Sequence, residues 1–211
     1  MKSRSAEVLP QSLLEEIAAL ATARSFGKGS IIVNEGDETD SLYVVLSGRA
    51  RVFVADAEGR EAQLNDIGAG EYFGEVTLDG GPRSASVKAL EECRCAVIRR
   101  AELDVFVAKN PAFALHLVRK LASRVRALTE NVRSLALMDV YGRVARLLLE
   151  LAEERDGRQV VAEPLTQKDI ASRIGCSREM ISRIFSDLTA GGYVRKEGAL
   201  LVILKKPPAR W

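Results

Sequence analysis

Residues 166–188 read TQKDIASRIGCSREMISRIFSDL. Thr166 is placed to cap a helix, and Asp169, three residues on, supplies the carboxylate that completes a capping box. Ile170, Ala171 and Ile174 give that helix one apolar side, and Gly175 stops it. Ser177 caps a second helix, on which Ile181, Ile184, Phe185 and Leu188 recur at helical spacing. Two short helices about a glycine turn, the second carrying Arg178 and Arg183 outward, form the arrangement that reads DNA in the major groove.

Working outward, Ala190-Gly191-Gly192 ends the second helix, and Tyr193–Lys196 with Leu200–Leu204 predict a hairpin about Glu197-Gly198, a wing. Lys205-Lys206-Pro207-Pro208 reads as an unstructured end. Upstream, Asp139 is an N-cap for a helix over Val140–Glu154, followed by an Asp156-Gly157 turn. The net charge of the 211 residues is only +2, yet from Glu163 to Trp211 basic residues outnumber acidic ones. The excess falls where DNA would sit.

Before Asp139 runs a long helix. Asn110-Pro111 breaks a shorter helix that starts at Ala101, and Pro111 opens the next, which extends to about Met138. Val118, Leu121, Val125, Leu128, Val132 and Leu135 alternate spacings of three and four, a seam about three heptads long. Such a stripe could pack on its own domain. Its polar flanks, Arg119, Lys120, Arg124, Arg126, Glu130 and Arg133, favour a two-stranded parallel contact in a homodimer.

From Ala23 to about Ile98 the texture changes to short β-type runs: Ser30–Asn34, Leu42–Ser47, Arg49–Ala55, Glu61–Ile67, Ser84–Leu90 and Cys93–Ile98. Glycines punctuate them, and Asp56-Ala57-Glu58-Gly59 suits a hairpin turn. The pattern predicts an antiparallel β-barrel or jelly roll. A short helix over 10–22, opened by Pro10, precedes it. The fold class is α+β, in three parts: a β-barrel domain over 1–110, a dimerisation helix over 111–138, and a winged helix-turn-helix over 139–211.

Two segments resemble one family, the cAMP receptor protein/FNR family of transcription regulators. Tyr72-Phe73-Gly74-Glu75, followed by Pro82-Arg83-Ser84-Ala85-Ser86-Val87, is similar to the phosphate-binding cassette of its cyclic-nucleotide-binding domain. Asp139-Val140-Tyr141-Gly142-Arg143-Val144-Ala145, with Gly175-Cys176-Ser177-Arg178-Glu179 and Arg183, resembles its hinge and recognition helix. The resemblance covers nearly the whole chain. It implies a cyclic nucleotide as effector, cAMP first and cGMP or another nucleotide behind it.

The residues suit those roles. A cyclic phosphate is a compact monoanion, and Arg83 offers a bidentate cationic fork. Ser84 adds a hydroxyl, and nearby backbone amides form an anion nest. Glu75 can accept from a ribose 2′-OH, Gly74 allows close backbone approach, and Leu64 and Ile67 would line the pocket beside sugar and base. Arg83 and Glu75 could instead be salt-bridge partners at a barrel rim. The resemblance places Leu128 and Thr129 where the family's long helix touches the base. Thr129 keeps a hydroxyl and Leu128 does not, and the cassette loop from Leu78 to Gly81 is short.

At the DNA end, the resemblance implies that Arg178 and Arg183 bond guanines and that Glu179 accepts from a cytosine N4, on a TGTGA-type inverted repeat. Thr166, Gln167, Lys168 and Ser177 would contact phosphates. RNA polymerase is a further partner in the family, although the loop Glu153–Gln159 is short there.

Other classes fit less well. A metal-dependent enzyme in a β-barrel needs several converging ligands, and the single histidine, His116, lies on the long helix as a surface or interface residue. No catalytic set is expected. A redox or gas sensor of the same family would need about four cysteine ligands or a haem ligand. Cys93, Cys95 and Cys176 offer neither a framework nor such a set, and Cys93 with Cys95 share one strand face as core residues. Effector-independent DNA binding, with the cassette only structural, is the third alternative. The opening residues carry Lys2, Arg4 and Glu7 without an apolar core, and no run of 18 apolar residues occurs, so neither a signal peptide nor a membrane span is expected and the setting is cytoplasmic.

Overall fold

The computed structural model describes residues 8–162, 164–198 and 200–208. The chain forms two compact units, one ending at Val125 and the other starting at Arg126.

In the first unit, helix α1 (Gln11–Leu20) precedes eight strands: β1 (Thr22–Phe26), β2 (Ile31–Val33), β3 (Leu42–Ser47), β4 (Ala50–Ala55), β5 (Glu61–Ile67), β6 (Tyr72–Phe73), β7 (Ser86–Ala89) and β8 (Cys93–Ile98). They pair as two four-stranded antiparallel sheets, in the orders β1-β8-β3-β6 and β2-β7-β4-β5. The sheets are antiparallel, as expected of a barrel or jelly roll, and among the described residues no strand pairing joins them into a closed barrel. The chain instead switches sheets at its turns. Between β3 and β4 it does so at Gly48, whose φ of +84 and crowded Cβ position beside Cys93 admit only glycine.

Strands β3 and β8 explain the continuous apolar runs of the sequence, because both of their faces are covered. Alternate residues point to opposite sides of a strand. Tyr43, Val45, Cys93, Cys95 and Val97 point into the core between the sheets, with Val33, Ala50, Ile67, Phe73 and Val87. Leu42, Val44, Ala96 and Ile98 point the other way, under Leu13 and Ile17 of α1, Leu103 and Phe106 of helix α2 (Arg100–Lys109), and Phe113 of helix α3 (Pro111–Leu137).

The second unit holds the rest of α3, helix α4 (Val140–Leu151), hairpin β9 (Glu153–Arg155) and β10 (Arg158–Val161), helices α5 (Gln167–Ile174) and α6 (Arg178–Ala190), and the wing β11 (Val194–Glu197) and β12 (Leu200–Ile203). The expected caps form. The side chain of Asp139 accepts from Gly142 N, Thr166 and Asp169 make a capping box, and Ser177 accepts from Met180 N. One core joins Val144 and Leu148 of α4 to Ile170, Ile174, Ile181, Ile184 and Leu188.

Several sequence expectations are revised. Helix α4 stops at Leu151 rather than Glu154, because Glu153 and Glu154 pair with Val160 and Gln159 across a turn in which Asp156 and Gly157 both take positive φ. The exposed strand β1 and the two-residue β6 carry no apolar period and were not expected. The Lys205–Pro208 end is not loose: Pro207 is buried and, with Met138, Gly142, Ala145 and Leu149, lines a cavity of about 300 Å³.

Candidate nucleotide and DNA sites

Strand β6 delivers the chain to Gly74, which turns it, at φ +93, into a short 3-10 helix over Glu75–Asp79. A Cβ on Gly74 would lie 2.5 Å from Arg83 Nη1 and 2.7 Å from Ser41 O. Only glycine permits the backbone and the guanidinium to approach this closely. Gly74→Ala is expected to cost about 1–3 kcal/mol through strain and displacement of Arg83, read as a lower denaturation midpoint with an unchanged m-value.

Arg83 is 4% exposed. The loop between β2 and β3 holds it by backbone and side chain. Arg83 N donates to Asp37 O, and Gly36 N donates to Arg83 O. Its Nε donates to Thr39 Oγ1 at 2.8 Å, Nη2 to Ser41 O at 2.7 Å, and Nη1 to Gly74 O at 3.3 Å. The guanidinium also sits over the Tyr43 ring, 5.6 Å from its centroid. None of these bonds goes to a carboxylate, so the rim salt bridge with Glu75 does not form. Burial pushes the guanidinium below its ordinary pKa, opposed by Tyr43, Asp40, Asp37 and Glu75 at longer range. A buried cation without a direct anionic partner is costly. An anionic ligand is the partner its surroundings lack.

Glu75 follows Gly74, and its carboxylate is also sequestered. Its nearest cation is Lys120 of α3, with Nζ 3.6 Å from Oε2, and Oε2 accepts no hydrogen bond. Ser84 lies exposed beside Arg83. Ile67 is buried in the core between the sheets, where Tyr43 also packs. Leu64 falls at an irregularity in the β4–β5 ladder, where Val52 pairs with Asn65 and Phe53 with Gln63, leaving Leu64 as the extra residue. The structure thus brings Gly74, Glu75 and Arg83 together, with Ser84 adjoining, and shows no contact of Leu64 or Ile67 with them. Thr129 lies on α3 in the second unit.

Sequence reasoning missed Thr39, Ser41 and Lys120. The first two lie in a polar loop with no periodicity, and Lys120 read as a solvated flank of the seam. His116 differs from its expectation as well. It is half-buried, with Nε2 3.3 Å from Val8 O and Nδ1 3.2 Å from Tyr72 Oη. A carbonyl only accepts, so Nε2 carries the proton and Nδ1 accepts from the tyrosine.

The cysteines are quiet. Burial pushes the Cys95 thiol up to about 12 and raises those of Cys93 and Cys176 too. Cys93 Sγ also donates to Arg49 O at 2.9 Å. Among the described residues no group of three or more His, Cys, Asp or Glu is placed to hold a metal ion. At pH 7 burial thus keeps the Cys95 thiol protonated. Alkylation of the folded protein followed by mass spectrometry is therefore expected to label the half-buried Cys176 first, with Cys93 and Cys95 modified only on unfolding.

In the second unit Arg178, Glu179 and Arg183 lie on one exposed side of α6, opposite the buried Ile181, Ile184 and Leu188. The three make no ion pair or hydrogen bond among the described residues, so their donors and acceptors face solvent. Tyr141 Oη donates to Asp187 Oδ2, fastening α6 to α4, and this bond holds the phenol protonated up to about 12. Ser177 Oγ accepts from Met180 N, and Thr166 Oγ1 donates to Asp169 Oδ2 at 2.6 Å. Thr166 is thus committed to its cap, while Lys168 is exposed and Gln167 half-exposed. Among the described residues no helix is long and apolar enough to cross a membrane.

Residues 23–110 match the model of the cyclic nucleotide-binding domain, and residues 142–209 match the Crp-like helix-turn-helix domain. The CRP-like cAMP-activated global transcriptional regulator of Mycobacterium tuberculosis is 34% identical over 183 residues, 84% of this chain and 82% of that protein. The cAMP-activated global transcriptional regulator Vfr of Pseudomonas aeruginosa is 32% identical over 201 residues, 90% of this chain and 92% of its own. The c-di-GMP-responsive global regulator CLP of Xanthomonas campestris shares the fold, with a TM-score of 0.80 at 24% identity, covering 93% of this chain and all of that one. A cyclic-nucleotide-binding domain followed by a helix-turn-helix defines a DNA-binding transcription regulator. The chain belongs to the Crp/Fnr family of such regulators, whose members are regulators rather than enzymes.

Proposed function

We propose that this regulator binds cAMP in its N-terminal unit and, as a homodimer, binds a TGTGA-like inverted repeat. The observation that carries the effector reading is Arg83: a buried guanidinium, bonded to a hydroxyl and two carbonyls and to no carboxylate. Three of its five N–H donors are taken by those bonds, which leaves two for a phosphate. Gly74, Glu75 and Ser84 complete the proposed site. Relatives named as cAMP-activated support cAMP over cGMP. The fold alone does not choose, since CLP shares it and is c-di-GMP-responsive.

The dimer reading rests on α3. Val118, Leu121, Val125, Leu128, Val132 and Leu135 are 37–65% exposed in the single chain, a stripe of large apolar side chains along one continuous helix. A second copy covers it as a parallel coiled coil. In that dimer Arg178, Glu179 and Arg183 read base edges, and Lys168, Gln167 and Ser177 hold the phosphates, while Thr166, whose hydroxyl donates to Asp169, serves as the cap of α5. RNA polymerase is the further partner that the family resemblance brings, with the short β9–β10 hairpin at the corresponding place.

The proposed mechanism is a shift between two states. Nucleotide bound against the paired α3 helices favours one alignment of them. The hinge at Met138-Asp139 then sets the two recognition helices about 34 Å apart, one turn of DNA. Only a difference in nucleotide affinity between the states drives this. Isothermal titration of the purified dimer with cAMP, cGMP and c-di-GMP in parallel tests the effector. Micromolar binding of cAMP alone is the expected outcome, and preference for another nucleotide replaces the effector without touching the DNA site.

A further inference from the structure

We infer that Lys120 is a positioning residue of the nucleotide site, through which helix α3 takes part in reading the ribose. The inference rests on the cyclic-nucleotide reading above. Arg83 and Lys120 are the two buried cations among the described residues, Lys120 at 8% exposure. Lysine is seldom buried unless paired, and here the ammonium is held on the side of Tyr72 and Glu75. It donates to Tyr72 O, lies 3.6 Å from the centroid of the Tyr72 ring, and stands 3.6 Å from Glu75 Oε2.

The same side of α3 grips Tyr72 at three successive positions. Phe113 packs on its ring at a centroid distance of 5.8 Å, His116 Nδ1 accepts from its hydroxyl, and Lys120 takes its carbonyl. Tyr72 stands three residues before Glu75, so the helix holds the base of the turn from which the Glu75 carboxylate projects.

That carboxylate is incomplete. A separation of 3.6 Å gives charge compensation but no hydrogen bond. Oε2 is buried and accepts no hydrogen bond from anywhere among the described residues. A fixed, charged acceptor lacking a donor fits a hydroxyl and repels a second anion. The ribose 2′-OH of a cyclic nucleotide is such a donor, and a 2′-deoxyribose has none. Lys120 is what keeps the acceptor in place. Without its charge nothing opposite Oε2 holds the carboxylate in place, and it turns toward water, which removes the acceptor from the sugar. Lys120 therefore sets the preference for ribose over deoxyribose, and it does so from α3, so filling the site acts on that helix directly.

The test is titration of the full-length protein with cAMP and with 2′-deoxy-cAMP. A hydrogen bond to a buried charged group predicts that wild type prefers cAMP by roughly tenfold or more. Lys120→Gln keeps a donor for Tyr72 O and removes the charge, and its preference is expected to fall to within about threefold, with cAMP affinity reduced and 2′-deoxy-cAMP affinity little changed. Lys120→Arg restores the charge and the preference. Glu75→Gln gives the same loss, and combining it with Lys120→Gln adds nothing further. Retention of the preference in a folded Lys120→Gln protein, or additive losses in the double variant, overturns the inference. If Lys120→Gln does not fold, the Lys120→Arg protein decides by keeping the preference or losing it. Failure of wild type to bind any cyclic nucleotide is a separate result, which removes the proposed function itself.

Discussion

Arg83→Leu is expected to lower cAMP affinity by at least about a hundredfold, roughly 2.7 kcal/mol, with the fold retained. Leucine removes a costly buried charge from a site that is 4% exposed, while each buried acceptor it strands costs about 1–3 kcal/mol, so a lower unfolding midpoint accompanies the loss of affinity. The substitution leaves Thr39 Oγ1 and the Ser41 and Gly74 carbonyls without their donor. It also removes the buried cation proposed to meet the phosphate. A ligand monoanion would then lose a bidentate charge-assisted contact while the carboxylates of Asp37, Asp40 and Glu75, all within electrostatic range of position 83, stay behind and repel it. Calorimetry gives the affinity, and thermal unfolding checks the fold. Unchanged affinity in a folded variant would make the cassette structural.

Arg178→Ala is expected to cost about 1–3 kcal/mol per half-site, with loss of preference at one guanine. On an inverted repeat bound by two copies, the cost is incurred twice. Arg178 opens α6, next to its Ser177 cap, with no ion-pair partner among the described residues. Comparison with Lys168→Ala separates base reading from phosphate holding. The lysine variant weakens all sequences alike and lowers the slope of log affinity against log salt by about one, whereas the arginine variant discriminates among sequences. Equal weakening on every sequence by Arg178→Ala would contradict the base-reading role.

The parts of the molecule legible in the sequence are those that local chemistry determines. Thr166, Asp169, Gly175 and Ser177 specify helix ends through bonds to residues no more than four away, and each end forms where the sequence places it. The seam on α3 is equally local, a matter of helical spacing. What the sequence hid is non-local. Strand β1 is exposed along nearly its whole length and exists because β8 offers it an edge. Glu153-Glu154 reads as the end of a helix, and becomes strand only because Arg158–Val161 folds back on it. In the candidate nucleotide site Gly74, Glu75 and Arg83 were legible as a set. Thr39 and Ser41, 44 and 42 residues from Arg83, were not. Nor was Lys120, since a lysine beside an apolar seam has the same spacing whether it faces water or a buried carboxylate.

The most direct test of the account is the affinity of the purified protein for a labelled duplex carrying a TGTGA inverted repeat, measured by fluorescence anisotropy at fixed salt with and without saturating cAMP. The account predicts binding at least tenfold tighter with cAMP, lost in Arg83→Leu and absent on a scrambled duplex. Equal affinity for the repeat with and without cAMP, over a titration that saturates the protein, would contradict it.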